Sequence, residues 1–141
     1  MKVFLDTSVM VAAFWGDHTG HDASLQAFTE ATRQTGSFGI HSLAEVYATM
    51  TALPVRPALG PDQVFLFVQQ ISERLTPVSL DQAEYLGAIR ELSERGLAGG
   101  RVYDALLLAC ARKAQTETIL TWDLKHFRQL APDLADRIHT P

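Results

Sequence analysis

Cysteine is nearly absent from this chain: Cys110 stands alone, so no internal disulfide can form and the fold must rest on its core. At 141 residues the chain can bury a core without staples. Cys110 therefore has no expected structural duty, and a lone thiol fits a reducing compartment. No apolar run approaches the roughly 18 residues needed to span a bilayer, and the start lacks the basic-then-apolar pattern of a signal peptide. A cytoplasmic protein is expected. Basic charge is also scarce: 12 Lys and Arg against 16 Asp and Glu leave a net charge of −4, with a pI near 5.7. A general nucleic-acid binder wants the opposite balance, because Lys and Arg meet the phosphates. That exclusion lapses if the acids are gathered at one place, where four carboxylates around a metal would account for the whole −4. Internal repeats, low-complexity tracts and two-residue hairpin signals are all missing.

What remains is an ordinary globular composition, 47% hydrophobic and 20% charged, of the size of one domain, expected over 1–141. Short β-like runs occur at 2–5, 37–40, 76–79, 118–121 and, more faintly, 137–140. Helical patterns occupy 9–15, 21–34, 43–53, 62–74, 81–95, 102–115 and 124–130. Strands alternating with helices imply an α/β fold with a central, mostly parallel sheet of about five strands. In such sheets the ligand site lies beyond the carboxyl ends of the strands, where the strand order reverses.

Four acids fall at that edge. Asp6 ends "KVFLD" and Asp123 ends "ILTWD"; each follows a strand and precedes a helix. Glu45 in "HSLAEVY" and Asp104 in "RVYDALLLAC" open helices beside the same edge. Each has a structural reading. Asp6 and Asp123 suit an N-cap, Ser42 and Glu45 form an S-x-x-E capping box, and Asp104 suits the positive end of its helix. Caps explain the four positions but not their convergence. Carboxylates within about 4–6 Å repel until one takes up a proton, and a hard oxygen-seeking cation removes that conflict. Ser8 and Thr121, each two residues from an acid, can orient a carboxylate or a metal-bound water, or can simply cap.

"FLDTSVMVAAF", the glutamate of "SLAEVY", the aspartate of "RVYDALLLACA" and "ILTWDLKHF" together resemble the PIN domain, specifically the VapC-type toxins of toxin–antitoxin pairs. The resemblance covers the whole chain. Its last motif, T-x-D-x-x-x-F through Thr121, Asp123 and Phe127, is one residue longer than the commoner spacing. The resemblance implies a three-layer α/β/α fold and a metal-dependent endoribonuclease (a hydrolase) acting on single-stranded RNA. It implies Mg²⁺ or Mn²⁺ as cofactor, with Asp6, Glu45, Asp104 and Asp123 as the acidic, metal-binding and catalytic set and Thr7, Ser8 and Thr121 in support. It also implies a homodimer inhibited by a cognate antitoxin.

Arg101, Lys125, His126 and Arg128 are candidates for phosphate contact or for solvated helix ends. His18 and His21 form H-x-x-H without a companion ligand motif and are expected at the surface. Trp15 and Trp122 suit base stacking or core packing. The run "VFLFVQQI" at 64–71 is expected to be covered on more than one side, in the core or at a dimer or antitoxin surface with Tyr47 and Met50. Two alternatives stand beside the nuclease: a non-catalytic RNA- or protein-binding PIN-like module, and an α/β phosphoryl-transfer domain. The haloacid-dehalogenase form of the latter needs an acid at position 8, which is Ser; the receiver form needs paired acids that are not evident.

Overall fold

The structure, a computed structural model, describes Met1–Pro141. Five short strands form one sheet: β1 (Val3–Leu5), β2 (Gly36–Gly39), β3 (Thr76–Val78), β4 (Thr118–Leu120) and β5 (Ile138–His139). All neighbours pair in parallel, in the spatial order β3-β2-β1-β4-β5. Seven helices connect them: α1 (Thr7–Phe14), α2 (His21–Glu30), α3 (Ser42–Thr51), α4 (Pro61–Arg74), α5 (Gln82–Glu94), α6 (Arg101–Lys113) and α7 (Leu124–Leu130). A 3-10 turn, Pro132–Arg137, leads into β5. Every expected strand is present, the faint fifth as a two-residue edge.

The sheet is buried on both faces. Successive strand side chains point to opposite sides, so Phe4 joins Leu107, Ile119, Phe127 and Ile138, while Leu5 joins Val9, Phe38, Met50 and Ile71. Both are fully buried, which gives the three layers and explains why "VFL" is apolar throughout rather than alternating. Helix α6 lies close on β2: a Cβ at Gly39 would stand 2.6 Å from Leu107 Cδ2. Glycine at 39 lets the helix approach.

Several boundaries differ from the sequence reading. Helix α1 begins at Thr7, directly after Asp6. Helix α2 stops at Glu30, because a turn follows in which the Thr32 amide donates to Thr35 Oγ1 at 3.0 Å. In α4 only Val64 and Ile71 are buried, whereas Phe65 and Leu66 are 57% and 56% exposed. Within this chain the run 64–71 is therefore covered on one side, not several. Met50 is fully buried and Tyr47 is exposed, so these two do not share a surface. No helix is long and apolar enough to cross a membrane. Cys110 is buried, its Sγ 3.5 Å from the Val78 carbonyl oxygen, and burial pushes the thiol up to about 11.

Candidate active site

From β1 the chain runs outward through β2 to β3, then returns to place β4 on the other side of β1. The order reverses between β1 and β4, and the segments leaving these two strands diverge, which opens a crevice at their carboxyl ends. Asp6 leaves β1 there, its amide donating to the Leu120 carbonyl at 3.0 Å. Its side chain is 4% exposed.

Three donors converge on one oxygen of Asp6. Ser8 Oγ at 2.7 Å and Thr121 Oγ1 at 2.8 Å donate to Oδ2, and the Ser8 amide reaches it at 3.4 Å. The last of these is the N-cap of α1, a long bond beside the two hydroxyl contacts. No side-chain donor reaches Oδ1. Thr121 Oγ1 in turn accepts from the Asp123 amide at 3.0 Å, and Ser8 Oγ accepts from the Trp122 amide at 3.0 Å. Ser8 and Thr121 thus tie the segment after β4 to the one after β1 through the carboxylate between them.

Glu45 does not form the capping box its spacing suggests. Ser42 is already inside the first turn of α3, with His41 at the cap position and no side-chain cap bond. Ser42 Oγ instead shares a 2.7 Å hydrogen bond with Thr7 Oγ1, and Thr7 Oγ1 lies 3.3 Å from Glu45 Oε1 as its donor. A capping box does exist elsewhere, between Asp81 and Glu84 at the start of α5. Asp104 lies half-buried in the first turn of α6. Asp123 occupies the cap position of α7 without a cap bond, and both its oxygens lie 2.9 Å from His126 Nδ1, which donates to them.

The four acids act on one another. Burial, and then the charges of Asp6, Asp123 and Glu45, raise Asp104 to about 7, against a smaller opposing effect of His126. Burial raises Asp6, opposed by its hydrogen bonds from Ser8 and Thr121. Glu45 is raised by burial and by Asp6, opposed by His41 and Thr7. No Lys or Arg pairs with any of the four; the one side chain at ion-pair distance is His126, on Asp123. No three His, Cys, Asp or Glu side chains are drawn together closely enough to hold an ion between them as they stand.

Comparison with known proteins identifies the family. The PIN domain family matches residues 3–131. Ribonuclease VapC40 of Mycobacterium tuberculosis is 32% identical over 120 residues, 85% of either chain. The chain belongs to the PIN-domain family, in its VapC ribonuclease branch. Ribonuclease VapC27 of the same organism is 33% identical over 114 residues, 80% of this chain and 79% of that one. Among solved structures, the M. tuberculosis VapC20 toxin, described as cleaving the sarcin–ricin loop, superposes with a TM-score of 0.71 at 15% identity, over 89% of this chain and 92% of that one. The toxin–antitoxin complex VapBC2 of Rickettsia felis, bound to promoter DNA, gives 0.67 at 20% identity over 99% and 98%. At these identities the structural likeness speaks for the fold.

In this PIN domain the remaining sequence candidates divide. Arg101 and Lys125 make no ion pair or side-chain hydrogen bond, while Arg128 Nη2 donates to the Ile138 carbonyl at 2.8 Å. His18 Nδ1 accepts from the Gly20 amide and His21 Nδ1 donates to the Ala12 carbonyl, both at 2.8 Å, so the H-x-x-H pair serves local structure. Trp122 is half-buried against Gly20, with Nε1 donating to Ser24 Oγ at 2.8 Å, and Phe127 is core. Trp15 Nε1 is buried without a partner. The Thr7–Ser42 contact escaped the sequence reading: two hydroxyls 35 positions apart carry no local pattern.

Proposed function

We propose that this PIN domain is a metal-dependent endoribonuclease that hydrolyses phosphodiester bonds in single-stranded RNA and is held inactive by a cognate antitoxin. The observation that carries the reading is the coupled set Asp6, Glu45, Asp104 and Asp123 at the sheet's reversal point, with no Lys or Arg paired to it. Such a set costs free energy until a cation joins it, and all-oxygen donors suit Mg²⁺ or Mn²⁺. These ions typically keep several waters and use only one or two carboxylates, which is compatible with side chains not yet gathered into a cage.

Asp6 and Asp104 hold the principal ion in this proposal, Asp6 through the Oδ1 that its hydroxyl donors leave open. Asp123 completes the shell or holds a second ion once His126 yields. Glu45, steadied by Thr7, acts through water or positions the nucleophile. A bound ion of this kind activates water and polarises a phosphoryl oxygen. Ser8 and Thr121 fix the Asp6 rotamer, while Arg101 and Lys125 meet flanking phosphates. Antitoxin-bound complexes among the fold's relatives support an antitoxin partner, and the exposed Phe65 and Leu66 on α4 support a homodimer. The test is cleavage of total RNA with mapped cut sites, with added Mg²⁺ or Mn²⁺ and with EDTA. Cleavage is expected only with the ion, and Asp6→Asn is expected to lower it by at least about 100-fold with an unchanged circular dichroism spectrum. Wild-type turnover in purified Asp6→Asn would end the proposal.

A further inference from the structure

We propose that the His41–Tyr103 pair is a stacking platform for one nucleobase of the RNA, beside the acidic site. This rests on the ribonuclease reading above and adds a means of holding substrate. The two rings are 3° from parallel with centroids 5.3 Å apart. His41 precedes α3 and Tyr103 lies in the first turn of α6, so the stack joins the helix starts that carry Glu45 and Asp104. Tyr103 immediately precedes Asp104 in sequence, and His41 is near enough to Glu45 to act on its charge.

Tyr103 is 48% exposed, and its hydroxyl makes no hydrogen bond in the chain. His41 takes one ring face, and about half of the residue remains accessible, which is assigned to a base on the opposite face. A ring already held flat loses little freedom when another stacks on it. Ile40 and Tyr85, 46% and 37% exposed, continue the ledge into a shallow cleft floored by Leu107 and Cys110. A flat aromatic shelf adjoining a cation-seeking acidic crevice matches the two parts of a nucleotide, base on the shelf and phosphate at the crevice. An anionic or aliphatic peptide matches only one part. Arg101, in the same turn as Tyr103, is unpaired and available to the nucleotide's phosphate. Stacking of this kind accepts any base, since every base has a π face.

The experiment is steady-state cleavage, with Mg²⁺, of a short RNA carrying one mapped cut site, and of versions with a single abasic nucleotide at each flanking position. Tyr103→Ala is expected to raise KM roughly tenfold, the scale of one stacked base, with kcat within about twofold. Tyr103→Phe is expected to restore KM, and His41→Ala to raise it by a smaller factor. One abasic position is expected to raise the wild-type KM by a similar factor and to add nothing in Tyr103→Ala. The abasic series on the wild type decides the matter even if an alanine variant folds poorly. An unmoved KM in Tyr103→Ala, or additive losses at every abasic position, overturns the platform while leaving the nuclease standing. Weakened antitoxin binding with unchanged RNA kinetics also overturns it, by assigning the pair to a protein partner. No wild-type cleavage at all overturns the ribonuclease reading itself.

Discussion

Burial, and then the repulsion of three other carboxylates, hold the Asp104 carboxyl in its protonated form, and this makes the metal-free protein sensitive to pH. In the folded chain it keeps its proton up to about 7, against a usual 3.8. Folding therefore takes up a proton between about pH 4 and 7, and stability falls as pH rises through that window. Asp104→Asn removes the effect. In EDTA at pH 7.5 its melting temperature is expected to exceed the wild type's by roughly 2–4 °C, discounted for the side chain's partial exposure. At pH 4 the two should melt together; a variant less stable at pH 7.5 would contradict this account. Glu45 separates stability from chemistry in another way. Because it caps nothing, Glu45→Gln should shift melting by less than about 2 °C while lowering cleavage at least about tenfold, the scale typical of disturbed metal surroundings.

Among the elements, α6 is positioned by what it rests on. Gly39→Val would press into Leu107 and lift the helix from β2, an overpacking change that typically costs about 1–3 kcal/mol. The expected result is a lower melting temperature together with weaker cleavage, since Asp104 and Tyr103 ride on the first turn of that helix; an unchanged melting curve would show that α6 sits there without needing the close approach. The strand-then-acid pattern made Asp6 and Asp123 legible in the sequence because it is local: an apolar run, a hydroxyl, a carboxylate, a helix. Asp104 was legible from its place in the first turn of a helix with a long apolar stretch. The Ser42–Glu45 box misled because capping depends on whether Ser42 stands before the helix or inside it, a one-residue difference that spacing does not encode. The exposure of Phe65 and the burial of Met50 were not legible either: periodicity marks an apolar side chain but does not say what covers it.

At the scale of the whole molecule, a net charge of −4 leaves little general attraction for RNA. With Arg101 and Lys125 as the free cations near the edge, the logarithm of RNA affinity should fall with the logarithm of salt at a slope of about −1 to −2, from about 0.7 per phosphate neutralised on a single strand. A slope beyond about −4, measured from 50 to 200 mM salt at fixed Mg²⁺, would reveal a basic surface elsewhere. The sheet order also bears on how the site is held together. Asp6 is synthesised well before its partner, since the Thr121 hydroxyl that fixes it lies 115 positions later, on the segment after β4. Until that segment leaves the ribosome, β1 has a bare edge and Asp6 lacks its Thr121 donor. A chain folded without that segment has no hydroxyl from β4 to hold the Asp6 carboxylate in place, so the site's geometry is set across the whole span of the sheet and not by β1 alone.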